Sequence, residues 1–332
     1  MAPVDATADA VEVAADLLGE LATRDAPLAP FCTYRVGGAA SLLVEADSVA
    51  DLELVRDAVE ASGCQTLVVG KGSNLLVAER GFPGIVVHLG DAFNEVMIGP
   101  PEDTEGDEDD RNGAVVPVTV GASTLLPVAA RKTAAAGLTW FEWAVGVPGS
   151  VGGAVRMNAG GHGSDMAASL RRVSVFDLRT GGPEDWPAER LDLGYRRSAL
   201  GSHHVVLYAE LLLEPGDATA ATEEISEIVR WRRANQPGGQ NAGSVFTNPA
   251  GQSAGRLIDE LGLKGLRVGT AEVSTKHANF IQADPGGSAD DVHALIREVR
   301  LRVAAATGIE LEVENRLIGF GDRDDGGSGS DR

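Results

Sequence analysis

The chain has 332 residues and carries 28 Lys plus Arg against 49 Asp plus Glu, a formal charge of −21 at neutral pH. So acidic a chain lacks the concentrated positive charge that nucleic-acid phosphates require, and no general nucleic-acid binder is expected. A hydrophobic content of 43% excludes wholesale disorder, the length suits roughly two domains, and 42 glycines are the compositional outlier.

The chain opens with Asp5, Asp9, Glu12, Asp16 and Glu20, where a signal peptide would be basic and then apolar. Val11, Val13, Ala14, Leu17, Leu18 and Leu21 predict an amphipathic helix over 9–21. Short β-rich runs follow at 41–46, 66–70, 84–89 and 115–121. Helices are predicted between some of them, at Val49–Ser62 and over 123–136, the second with Ser123 as N-cap. Further strands are predicted at 171–178 and 203–213. The most apolar stretch, 140–155, contains Glu142, Pro148 and four glycines, so no bilayer span is expected. Beyond residue 219 the texture changes to helices at 222–233, 253–262 and 288–308 around short strands at 277–283 and 308–313.

The expected organisation is a lead-in over 1–32, a first α+β domain over 33–215 and a second over 219–320, with the Gly/Pro/Asp-rich 215–218 as boundary. The acidic stretch 99–113 and the tail 321–332 read as disordered, solvated segments. Residues 1–25, 102–111 and 322–332 together hold −13 of the −21. Cys32 and Cys64 form neither a disulfide framework nor a metal pattern, which fits a reducing, cytoplasmic location. No metal site is expected.

Two glycine turns flank predicted strands: TYRVGG at 33–38 and VGKGSNL at 69–75. Successive N–H groups in such turns suit a pyrophosphate, although a plain β-turn has the same composition. Neither turn is a G-x-G-x-x-G fingerprint, because Leu75 stands where the last glycine belongs, and there is no phosphate loop of the ATPase kind. A third segment, WFEWAVGVPGSVGGAVRMNAGGHG at 140–163, places seven glycines in the 18 residues from 146 to 163. That density suits either a flat ring lying on backbone or a tightly packed backbone sandwich.

These three motifs, with GYRRS at 194–198, NAGSVFTNP at 241–249, STKHANF at 274–280 and LEVENRLIG at 311–319, resemble in order and spacing the UDP-N-acetylenolpyruvoylglucosamine reductases. The resemblance implies an α+β fold: an FAD-binding domain of the PCMH, vanillyl-alcohol-oxidase-like type, followed by a smaller α+β substrate domain. It implies non-covalent FAD, NADPH as hydride donor and a UDP-sugar substrate whose enolpyruvyl group is reduced, with no nucleic acid, no membrane insertion and a monomeric enzyme. The absence of an inserted tyrosine-bearing loop implies the shorter class of these enzymes.

Residue by residue, the resemblance assigns the substrate carboxylate to Arg196, whose guanidinium holds two oxygens at once. It makes Ser244 the proton donor and Glu314 the third catalytic residue. A carboxylate beside a developing enolate would repel it, so Glu314 is expected to have either a raised pKa or a donor relay that keeps it neutral. Cofactor contacts fall on Thr33, Gly37, Gly38, Gly70, Lys71, Gly72, Ser73, Asn74, Leu75, Gly146, Pro148, Gly149, Ser150, Gly152 and Gly153. Substrate contacts fall on Tyr195, Asn241, Asn248 and Lys276. Many relatives carry a lysine where this chain has Asn235, which shifts the expected diphosphate contacts to Arg232 or Arg233. A flavin oxidoreductase of the same fold acting on another substrate is the alternative reading.

Overall fold

The computed structural model describes residues 8–103 and 114–321; the tail, most of the acidic stretch and the first residues of the lead-in lie outside these. Helix α1 spans Ala8–Leu18 and ends in a 3-10 turn, Gly19–Leu21, as the amphipathic pattern predicts. Helix α2, Val49–Ser62, is held at both ends: Ser48 Oγ accepts the Asp51 N–H, and Gly63 at φ 69° donates back to Val59.

These helices cover a four-stranded sheet in which Ala39–Ala46 and Thr66–Val68 each run parallel to Phe82–Leu89, with Ala22–Pro27 antiparallel at one edge. A larger sheet of seven strands is antiparallel throughout, with Leu170–Asp177, His204–Pro215 and Ala114–Gly121 at its centre. The expected loop at 99–113 begins differently, because Glu102–Asp103 pairs with Ala114 and Val115 and Glu102 meets Arg171 at 3.0 Å.

Helix α3 begins later than the sequence predicts, at Leu126–Ala135, with Leu125 rather than Ser123 at the N-cap position. Ser123 donates its hydroxyl to the Gly90 carbonyl and its N–H to the Phe93 carbonyl, so it is tied to the 3-10 turn at Asp91–Phe93, and Pro127 sets the first helical turn. Helix α4 is the short Val151–Arg156 inside the third glycine segment. Helix α5, Ala218–Asn235, is capped by Asp217 and lends Ala221, Ile225 and Ile228 to the core of the first domain, so the change of core comes after this helix.

Helices α6, Ala254–Glu260, and α7, Ala289–Thr307, are capped by Ser253 and Ser288 and pack with a three-stranded sheet ending at Ile281–Ala283. The predicted strand at 308–313 forms only an isolated bridge, Val313 to Phe246. The chain then returns: Arg316–Ile318 pairs in parallel with Leu75–Val77 of the first domain. The second core accordingly includes Tyr34, Val36 and Leu76 beside residues of α6 and α7. This shared core brings the cofactor-type loop at 70–75 and the segments around Ser244 and Glu314 to one place.

Candidate active site

A cleft of about 460 Å³ opens between the two cores. Its walls are Thr33, the loop from Gly70 to Leu75, the segment Gly146–Pro148–Gly149–Ser150 with Gly153, and, from the second domain, Asn241, Ser244 and Glu314. Arg196 completes it from the turn at 194–197. Residues from six separate motifs thus meet in one cavity.

A second cleft of about 540 Å³ adjoins it, sharing Val68, Gly70, Lys71, Ser150, Gly153 and Arg156 as a common floor, with Gly152 further along. The floor can exist because Gly70 lacks a side chain: a Cβ there would stand inside van der Waals contact of Ser150 Oγ. Gly37 and Gly38 line neither cleft. A Cβ on either would strike the carbonyls of Val77 or Glu79, so their absence of side chain lets two backbone segments pack.

Arg196 sits at φ 57°, the third position of a turn closed by hydrogen bonds between Gly194 and Arg197. A non-glycine residue in this conformation costs about 1–3 kcal/mol and persists only where its surroundings enforce it. Its Nε donates to Glu314 Oε1 at 2.6 Å and its Nη2 to the Gly160 carbonyl at 3.3 Å, which aims the guanidinium into the cleft. Tyr195, 64% exposed, lies outside the cleft wall with its ring 5.3 Å from the Arg196 guanidinium carbon.

Glu314 is anchored by its backbone: its N–H donates to Val245 at 2.7 Å and its carbonyl accepts from Asn74 Nδ2 at 3.1 Å. Its side chain is only 12% exposed, and burial pushes its pKa up against the opposing pull of Arg196. Glu312, two residues earlier, is exposed. Ser244 follows Gly243, which sits at φ 74°, and is half-buried on the wall near Glu314.

The remaining expected contacts fall differently. Asn241 lines the cleft, but its amide is spent on its own loop, accepting from Gly243 and donating toward Gly238 and Gly239. Asn248 lies outside the lining and accepts the Ala254 N–H at the start of α6. Lys276 is also outside it, with Nζ on the Arg233 carbonyl. Between the two candidate arginines, Arg232 lines the cleft and Arg233 does not. Arg232 Nε donates to Gln236 Oε1 at 2.9 Å, and burial lowers its pKa, as expected of a guanidinium without a carboxylate neighbour. Arg156 and Arg316 are lining residues that motif reading did not single out.

The charged lining of the cleft is Lys71, Arg156, Arg196, Arg232 and Arg316 against Glu314 alone. A chain of net charge −21 therefore presents a positive cavity, suited to anionic ligands. The cleft lining includes no His or Cys. Outside it, Asp177, His203 and His204 come together with ligand-like spacing. However, His204 Nδ1 accepts the Gly201 N–H at 2.8 Å, so its proton is on Nε2, 3.8 Å from Asp177. In that tautomer Nε2 carries the proton and offers no lone pair to a metal.

Comparison with known proteins agrees with this geometry. A family described as FAD binding domain matches residues 40–182, and one described as UDP-N-acetylenolpyruvoylglucosamine reductase, C-terminal domain, matches residues 235–318. The reductase of that name from Heliobacterium modesticaldum is 41% identical over 309 residues, covering 92% of this chain and 93% of the relative. That of Rubrobacter xylanophilus is 38% identical over 297 residues, covering 89% and 94%. The crystal structure of UDP-N-acetylenolpyruvylglucosamine reductase from Thermus caldophilus superposes with a TM-score of 0.73 at 36% identity, covering 90% of this chain and 98% of that one.

Proposed function

We infer the reaction from one premise: the chain belongs to the UDP-N-acetylenolpyruvoylglucosamine reductase family. It is an FAD-dependent oxidoreductase that reduces UDP-N-acetyl-3-O-(1-carboxyvinyl)-glucosamine to UDP-N-acetylmuramate, a peptidoglycan precursor. NADPH supplies two electrons and one hydrogen, a solvent-derived proton supplies the other, and NADP+ leaves.

The paired clefts fit FAD, a molecule with two bulky ends joined by a diphosphate. Two lobes meet at a floor of Gly70, Ser150 and Gly153 flanked by Lys71 and Arg156, where N–H groups and cations suit the diphosphate. Thr33, Gly72, Ser73, Asn74, Leu75, Gly146, Pro148 and Gly149 on one side, and Gly152 on the other, are the remaining proposed contacts. Binding is non-covalent in this reading, since the 460 Å³ lobe has no nucleophilic His or Cys on its wall. When bound, FAD relays the two electrons between NADPH and the enolpyruvyl double bond.

The single observation that carries the role assignment is the meeting of Arg196, Ser244 and Glu314 on one wall although they come from distant motifs. Arg196 holds the substrate carboxylate, into which negative charge spreads as the double bond is reduced. Ser244 delivers the proton to the carbon bearing that carboxylate. Glu314, disfavoured as an anion by burial, stays compatible with charge building beside it and orients Arg196 through their hydrogen bond. Arg232 meets the diphosphate of the UDP-sugar, in place of the lysine absent at Asn235. The catalytic unit is a single chain acting in the cytoplasm, and no described helix is long and apolar enough to cross a membrane. The test is the visible spectrum of the purified protein followed by anaerobic addition of NADPH and the enolpyruvyl sugar nucleotide. A flavin band bleached by NADPH and restored by the sugar nucleotide is expected; absence of the band, with none gained on adding FAD, overturns the reading.

A further inference from the structure

Asn315 stands between Glu314 and Arg316 and is 4% exposed. Its Nδ2 donates to Asn74 Oδ1 at 2.9 Å and to the Ala242 carbonyl at 3.0 Å, with the Ser244 carbonyl at 3.3 Å. Its Oδ1 accepts from the Tyr34 hydroxyl at 3.4 Å, and burial keeps that phenol protonated by raising its pKa. The Asn74 side chain donates to the Glu314 carbonyl at 3.1 Å, and its backbone carbonyl accepts the Arg316 N–H at 2.8 Å. One buried amide therefore links four segments: that of Tyr34, the loop at 70–75, the residues on either side of Gly243, and its own segment, which carries Glu314 just ahead of the strand Arg316–Ile318.

We propose that Asn315 is the positioning residue that seats Ser244 and Glu314 against the loop at 70–75, an inference that rests on the activity proposed above. Three features separate this role from that of a general staple. Its bonds fall on the carbonyl of Ser244 itself and on Ala242 two residues before it, so they set the direction in which the Ser244 hydroxyl leaves the backbone. Its partner Asn74 holds the Glu314 carbonyl, so a shift of the amide propagates to the carboxyl that Arg196 meets. The amide is also the only side-chain type of this size that both donates to three clustered oxygens and accepts from a phenol. An aspartate would face those oxygens with two more, and a leucine would leave them without a donor.

The test compares Asn315→Asp and Asn315→Leu with the wild type in three measurements: flavin reduction by NADPH, reoxidation of the reduced enzyme by the enolpyruvyl sugar nucleotide, and FAD affinity of the apoprotein by fluorescence titration. Displacing a proton donor by about 1 Å costs on the order of 10²-fold, so reoxidation should fall by about that factor in both variants. Flavin reduction should stay within about threefold, and FAD affinity should fall far less than reoxidation, because Asn74, which Asn315 touches, is one of many proposed cofactor contacts and the glycine floor is untouched. Reoxidation unchanged in Asn315→Asp, or all three quantities falling together, overturns the proposal. Tyr34→Phe provides an independent reading if the Asn315 variants do not fold: it removes one bond to the amide and should slow reoxidation severalfold with reduction unaffected, and an unchanged rate overturns the role. A wild-type enzyme whose reduced flavin ignores the sugar nucleotide refutes the activity itself, whereas an active wild type with unaffected variants refutes only Asn315.

Discussion

Replacing Arg196 by lysine keeps the charge and removes the fork, which makes it the most informative single change at the site. In the free enzyme the guanidinium spends Nε on Glu314 at 2.6 Å and one Nη on the Gly160 carbonyl, leaving donors free to grip a second carboxylate. A lysine ammonium is a single point that cannot hold Glu314, Gly160 and a bidentate substrate together. Hydrogen bonds to charged groups contribute about 1.5–3 kcal/mol each. Losing the equivalent of two, with partial recovery by the ammonium, leaves a deficit of roughly 3–4 kcal/mol in stabilisation of the developing carboxylate charge, or about 10²–10³-fold in rate. The assay is anaerobic stopped-flow: reoxidation of the reduced enzyme by the enolpyruvyl sugar nucleotide should slow by that factor while reduction by NADPH stays within about threefold. Equal losses in both half-reactions would show that Arg196 serves the cofactor or the fold and not the substrate carboxylate, refuting the argument.

Three further outcomes are expected. Ser244→Ala should leave flavin reduction by NADPH nearly intact and slow reoxidation by the sugar nucleotide by about 10²–10⁴-fold, the usual range for a lost proton donor; equal loss of both half-reactions would reject the role of Ser244. Because burial raises the Glu314 pKa above its ordinary value of 4.5, the native state holds this proton more tightly than the unfolded chain. The wild type should therefore lose stability relative to Glu314→Gln as pH rises from that ordinary value through the raised one, and parallel Tm curves for the two proteins would contradict it. His204 behaves oppositely. Burial, assisted by His203, lowers its pKa to about 4 from 6.5, so its stabilising contribution is complete above 6.5 and is lost as pH falls toward 4. His204→Gln should flatten that acid limb by up to about 3 kcal/mol, and an unchanged limb in denaturant titrations would refute the burial argument.

Much of the site was legible because its parts are motifs whose composition has few other uses. Gly70 and Ser150 lie in two separate glycine segments, and their contact is the floor that both clefts share. Arg196, Ser244 and Glu314 follow from the same ordered pattern and all line the cleft, carried by a turn, a glycine-preceded loop and the residues just ahead of the returning strand. What stayed hidden depends on which backbone meets which side chain. Gly37 and Gly38 have the look of phosphate turns, yet their missing side chains admit Val77 and Glu79. Asn248 and Lys276 sit in recognisable segments, but one accepts a bond at the start of α6 and the other reaches the Arg233 carbonyl. Asn315 is invisible as a functional residue until its four partners from three segments are in view. The start of α3 falls later than the sequence predicts for a related reason: Ser123 is a good capping residue, but the Gly90 carbonyl, just beyond a strand end, holds its hydroxyl.

The net charge of −21 illustrates the same limit, because the total says nothing of the cavity, whose lining holds five cations and one acid. The most direct test of the account is whether that cavity couples two anions chemically. NADPH consumption by the purified protein under anaerobic conditions should depend on UDP-N-acetyl-3-O-(1-carboxyvinyl)-glucosamine and yield one UDP-N-acetylmuramate per NADPH oxidised. NADPH oxidation that proceeds at the same rate without the enolpyruvyl sugar nucleotide, or that yields no muramate product with it, would contradict the account.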